Sequence, residues 1–175
     1  MMAGRAMPAG HIRPAAALSP PAHFVMSLWT ESSEPLNDNP HILLSREFFS
    51  SRDELTKLPE LLERVRTNCP ISDAQFFNLV VAMSEAITNA IVHGNKSDPG
   101  RRVRYSLECR RDGVRCVVED EGEGFDPRSL LDPRSPENLA REGGRGMFLI
   151  QALMRELKLE NTGHGMRIEF LCGRE

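Results

Sequence analysis

The stretch from Val103 to Val118 constrains this chain more than any other. Val103, Tyr105, Leu107 and Cys109 alternate with polar residues, Asp112-Gly113 supplies a turn, and Val114, Cys116 and Val118 resume the apolar positions. A period of two gives each strand one apolar and one polar face, and the turn between them predicts an antiparallel hairpin. A hairpin cannot bury an apolar face by itself, so helices must cover it. Two candidates precede it. Ser51-x-x-Glu54 and Ser72-x-x-Gln75 both have the capping-box spacing, in which each side chain satisfies an orphan backbone N–H of the other residue. The first opens onto Leu55, Leu58, Leu61, Leu62 and Val65 at helical spacing, ended by Pro70. The second opens a long helix to about His93, with a core stripe of Phe76, Val80, Met83, Ile87, Ala90 and Ile91. Further strands are expected over residues 41–49, 157–161 and 166–172, and a third helix over 145–156. Hairpin-joined strands with helices grouped between them predict a two-layer α/β sandwich, its mixed sheet mainly antiparallel and its helices on one face.

The length of 175 residues suits one domain, expected over 41–175. Residues 1–40 hold Pro8, Pro14, Pro20, Pro21, Pro35 and Pro40, half of the chain's 12 prolines, and are expected to be a disordered leader. A net charge of -3 argues against a general nucleic-acid or anionic-membrane binder. Arg101, Arg102 and Arg104, and the pair Arg110-Arg111, read as solvated strand ends or as a face for an acidic partner. Cys69, Cys109, Cys116 and Cys172 form no CxxC pair or zinc spacing and are expected to be reduced, buried small hydrophobes, consistent with a cytoplasmic location. No apolar run approaches the length of a membrane span.

Three elements carry candidate chemistry. Glu85-x-x-x-Asn89, followed by His93-Gly94-Asn95, puts a carboxylate and an amide on one helix face, an arrangement also common on plain solvated faces. Asp120-Glu121-Gly122-Glu123-Gly124-Phe125-Asp126 closes the returning strand. A carboxylate there can accept from an exocyclic amine, and the glycines let backbone approach a flat ligand. The alternative is an acidic turn; the EF-hand calcium spacing is absent. Gly143-Gly144-Arg145-Gly146 opens the apolar run Met147-Phe148-Leu149-Ile150. Glycines at a helix start expose N–H groups to an anion, though they also serve as a hinge. Neither a Walker A loop nor a dinucleotide-binding fingerprint is present. Residues 121–144 lack any period and are expected to form a lid.

In order and placement these elements resemble the N, G1 and G2 boxes of the GHKL, or Bergerat-fold, ATPases over about residues 41–172. The wording Ser84-Glu85-Ala86-Ile87-Thr88-Asn89-Ala90 with His93-Gly94-Asn95 is most similar to the anti-sigma-factor serine kinases. That resemblance implies ATP and Mg²⁺ as ligands, with Asn89 coordinating the metal and Glu85 as general base toward a serine hydroxyl. It implies that Asp120 reads the adenine amino group, that Gly122 and Gly124 shape the adenine pocket, and that Gly143, Gly144 and Gly146 cradle phosphates with Arg145 adding charge. His93 resembles a family position at the helix end, where capping is an equal reading. Such domains carry Gly-Thr at the start of the last strand; here Gly165-Met166-Arg167 stands there, leaving adenine contacts to water, to Thr162, or weaker. The implied function is phosphorylation of a STAS-domain anti-sigma antagonist and sequestration of a sigma factor, by a homodimer without direct nucleic-acid or membrane contact. The alternative is a non-catalytic, nucleotide-controlled partner-binding module. The catalytic half of a histidine kinase ranks third, because no dimerising phosphoacceptor helix pair fits in the chain.

Overall fold

The computed structural model describes residues 41–126 and 145–174; the expected leader, most of the expected lid, and Gly143 and Gly144 lie outside them. The described elements are β1 (His41–Phe49), α1 (Asp53–Asn68), α2 (Asp73–Thr88), a π-helical segment (Asn89–Gly94), β2 (Arg102–Arg110), β3 (Gly113–Asp120), α3 (Arg145–Leu153), β4 (Arg155–Asn161) and β5 (Met166–Gly173). The strands form one sheet in the order β1-β2-β3-β5-β4, with every pairing antiparallel. The expected two-layer sandwich is therefore present, with no parallel pair among the described strands.

The alternation in β2 does what its period requires. Val103, Tyr105, Leu107 and Cys109 are buried, and they meet Leu58, Leu62 and Val65 of α1 and Leu79, Met83 and Ile87 of α2 in one core. The opposite face is an ion-pair lattice: Arg104 joins Glu47 and Glu121, Arg115 joins Glu108 and Glu169, and Arg167 joins Glu119 and Glu169. The bond from Arg115 holds the Glu169 carboxyl below its usual range, against burial, and that from Arg104 does the same for Glu47. Arg102 and Arg110 are paired as well, with Glu47 and Glu108.

Local signals fared unevenly. At Ser72 both halves of the capping box form, Ser72 Oγ accepting from the Gln75 amide and Gln75 Oε1 from the Ser72 amide. At Ser51 the box does not form. Helix α1 starts one residue later, after Arg52, because the Glu54 side chain is buried and drawn to Arg46 and Lys57. The hairpin loop is Arg111-Asp112, with Gly113 already paired to Arg110. Gly113 has φ 145°, and a Cβ there would lie 2.0 Å from the Cys172 carbonyl, so the strand start requires glycine. Helix α3 stops at Leu153 rather than 156, and Glu156, at φ 52°, sits in an irregularity of β4.

Two expectations are corrected. Cys69 and Cys109 are joined in a disulfide, with their Cα atoms 5.8 Å apart. They are 40 residues apart in sequence, and spacing carries no information about such pairing. The end of α1 brings Cys69 onto the core face of β2. Cys116 and Cys172 are free and buried as expected, and burial raises both thiols, Cys172 to about 11. Second, α2 and the π segment together form a 22-residue stretch, Asp73–Gly94, with the length and apolarity of a membrane span. Its Leu79, Ala82, Met83, Ala86 and Ile87 are spent on the core, where α2 packs against α1, α3, β3 and β5.

Candidate functional site

A cavity of about 410 Å³ opens where the end of the long helix meets the end of β3. Asn89, His93, Gly94 and Lys96 line one side; Asp120, Glu123, Gly124 and Phe125 line the other; Met147, Met166 and Ile168 close it with apolar surface. An apolar pocket with a few convergent polar groups is the usual form of a small-molecule site.

Asp120 is mostly buried at the strand end. Its Oδ1 accepts from the amides of Gly122, at 2.9 Å, and Met166, at 3.1 Å. These bonds fix the carboxylate plane and occupy one oxygen. Burial raises its pKa, and the two amides pull it back. The backbone around it is packed to the limit. A Cβ on Gly94 would lie 2.3 Å from Asp120 Oδ2, one on Gly122 would lie 2.2 Å from the Gly94 carbonyl, and one on Gly165 would lie 1.9 Å from the Asp120 carbonyl. Gly124, at φ 69°, lies against Asn161. Of these four glycines, the sequence assigns a pocket-shaping role only to Gly122 and Gly124, and names Gly94 and Gly165 only as members of their motifs.

Asn89 lines the cavity and Glu85, one helical turn before it, does not; both are partly exposed. Gly146, the second residue of α3, is against both: a Cβ there would lie 2.3 Å from Glu85 Oε2 and 3.5 Å from Asn89 Nδ2. Thus α3 brings the third sequence element onto the first. Arg145 opens α3 beside it. Thr162 is not in the cavity wall; its hydroxyl donates to the Gly165 carbonyl and accepts from the His164 amide within the β4–β5 turn. Met166 takes the wall position, and its Sδ accepts from the Phe125 amide at 3.4 Å. Sequence reasoning missed Lys96, Phe125, Met147 and Ile168 as lining residues. Phe125 and Met147 sit within the second and third elements but are apolar, with no polar chemistry to mark them, and Lys96 and Ile168 lie outside every motif.

A helix-covered antiparallel sheet with this cavity between helix end and strand end fits the architecture of the GHKL class. The chain belongs to the histidine kinase-like ATPase domain family, which it matches over residues 50–171. It is 36% identical over 90 residues to the serine-protein kinase RsbW of Oceanobacillus iheyensis, a match covering 48% of this chain and 57% of that protein. It is 34% identical over 90 residues to RsbW of Bacillus subtilis, covering 48% and 56%. To RsbW of Staphylococcus epidermidis it is 38% identical over 85 residues, covering 44% and 53%. The chain thus spans about half the length of the curated relatives it matches. Its fold resembles the crystal structure of the RsbU and RsbW domains of Rv1364c from Mycobacterium tuberculosis, with a TM-score of 0.51 and 18% identity over 78% of this chain and 32% of that one.

Proposed function

We propose that this protein is an ATP-dependent serine/threonine-protein kinase of the anti-sigma class, acting on a STAS-domain antagonist and, in the antagonist's absence, binding a sigma factor. The observation that carries the reading is that Asn89 lines the same cavity as the fixed carboxylate of Asp120, while Gly146 of α3 meets both Asn89 and Glu85 beside it. The likeness to the RsbW serine-protein kinases supports it.

The residues present suit Mg·ATP. The Asp120 oxygen left free by Gly122 and Met166 accepts the adenine amino group, and Gly122 and Gly124 let backbone lie along the ring. Met147, Met166 and Ile168 supply apolar surface for its faces. Asn89 offers a neutral oxygen to Mg²⁺, which takes few protein ligands and retains several waters. Gly143, Gly144 and Gly146, with Arg145, lie along the sequence where phosphates need N–H donors. Bound Mg²⁺ supplies charge neutralisation on the transferring phosphoryl group. Glu85 accepts the proton of the attacking serine hydroxyl, and ADP leaves. The acceptor protein, the sigma factor and a homodimeric state follow from the family likeness.

The test is calorimetric titration with Mg·ATP, followed by phosphotransfer to the cognate antagonist. Wild type should bind and transfer. Asn89→Ala should lose binding, and Glu85→Gln should keep binding but lose transfer. Normal transfer by Glu85→Gln removes the assigned base. A tight partner complex without transfer by wild type favours a non-catalytic binding module on the same fold.

A further inference from the structure

Asn95 does not line the cavity, yet it is fully buried directly behind it. Its side chain makes three hydrogen bonds. Nδ2 donates to Ser50 Oγ at 2.9 Å and to the Arg102 carbonyl at 2.8 Å, and Oδ1 accepts from the Glu121 amide at 2.8 Å. The partners dictate the amide's orientation, since a carbonyl can only accept and a backbone N–H can only donate. Its own amide donates to Ala90, across the π-helical turn. One side chain therefore ties the end of the long helix to the loop after β1, the start of β2 and the loop after β3.

The position of the Glu121 bond gives this tie its meaning. Glu121 follows Asp120, and Asn95 follows Gly94. Gly94 and Asp120 both line the cavity, one from each wall, and they lie so close that a Cβ on Gly94 would be 2.3 Å from Asp120 Oδ2. Asn95 and Glu121 thus fasten the two walls together one residue behind the point where they touch. Because β3 ends at Asp120, no strand partner holds the Glu121 amide.

We infer that Asn95 is a positioning residue that sets the span of the cavity, holding the Asp120 wall in register with the Asn89 wall so that one nucleotide engages both. The inference rests on the nucleotide reading above and extends it to a residue that touches neither substrate nor metal. It has a specific consequence. A ligand that uses only one wall does not need the register; a ligand that bridges both does. Linking two half-sites makes the second contact intramolecular, and misalignment forfeits that advantage.

The experiment compares wild type, Asn95→Ala and Ser50→Ala for binding of three probes: ATP with Mg²⁺, adenosine alone, and inorganic triphosphate with Mg²⁺. In Asn95→Ala, ATP affinity should fall by about tenfold or more, while adenosine and triphosphate bind as they do to wild type. Ser50→Ala keeps the Glu121 and Arg102 bonds and should bind all three probes normally. Equal weakening of all three probes in Asn95→Ala indicates general loosening and overturns the inference, as does unchanged ATP binding. Wild type that binds none of the probes refutes the nucleotide reading itself and this inference with it. Should Asn95→Ala not fold, hydrogen exchange of the Glu121 amide in unliganded wild type decides. Protection supports the tie, and exchange at the rate of an open loop overturns it.

Discussion

Replacing Gly146 by alanine separates fold from chemistry at this site. The added Cβ would lie 2.3 Å from Glu85 Oε2, whereas ordinary contact begins near 3.4 Å, so one side must yield by about 1 Å. The obstructing atom is the far end of a partly exposed, flexible side chain, so the carboxylate gives way and the backbone stays. Stability should hardly suffer, because alanine is favoured over glycine within a helix by up to about 1 kcal/mol. The reaction should suffer much more. A displacement of about 1 Å in a reacting group can cost roughly 100-fold in rate, equivalent to about 2.7 kcal/mol of barrier. The assay is phosphotransfer from ATP to the antagonist, run beside calorimetric ATP binding and a thermal melt. The expected result is an unchanged or slightly raised melting temperature, ATP affinity close to wild type, and a rate reduced by about two orders of magnitude. An unchanged rate would refute the reasoning, since it would mean that Glu85 does not act from the place where Gly146 holds it.

Gly94→Ala should behave differently. Its Cβ would lie within 2.7 Å of Asp120 Cγ and both carboxylate oxygens, and the amides of Gly122 and Met166 stop that group from turning aside. ATP binding should be lost by calorimetry, and retained affinity would remove Asp120 from the adenine site. Burial raises the pKa of Asp120, and the ionised form is the one that accepts the adenine amine. ATP affinity should therefore fall as pH drops through that raised pKa, at a higher pH than for an exposed aspartate, and Asp120→Asn should be weak and flat across the same range. The sign for folding is opposite, since a carboxyl raised in the native state costs stability as pH rises through its folded pKa and relieves that cost as pH falls. A binding profile in Asp120→Asn that still shows the wild-type pH step would assign the step to another group. Reducing the Cys69–Cys109 disulfide, which closes a loop of 40 residues, should lower unfolding free energy by up to about 4 kcal/mol on the chain-entropy account. A melting temperature insensitive to a phosphine reductant would contradict it.

Much of the architecture was legible because its signals are local. The alternation through Val103–Cys109 and the Ser72/Gln75 capping box depend on neighbours in sequence, and both survive in the fold. The Ser51 box failed because Glu54 found Arg46, a partner on another element. The disulfide was illegible for the same kind of reason, since only the packing of α1 on β2 brings its cysteines together. Within the candidate site, Glu85, Asn89, Asp120 and Gly146 could be named because their motifs resemble a known family's boxes, where spacing alone left plainer readings open. The glycines Gly94 and Gly165 and the buried Asn95 could not be weighed, because their importance lies in what a Cβ or an amide would meet across the fold.

The π-helical turn at Asn89–Gly94 has its own consequence for how this site can change. In a regular helix, residues five apart point roughly 140° away from each other. Closing the turn from each residue to the fifth beyond it brings such positions much closer to alignment, and Asn89, His93 and Gly94 all reach the same cavity. A chain one residue shorter within this turn could still fold as an unbroken helix, but it would send Gly94 and the Asn95 tie away from Asp120. The extra residue is thus what sets Gly94 against Asp120 and Asn95 against the Glu121 amide, two contacts that a helix of regular period would lose together.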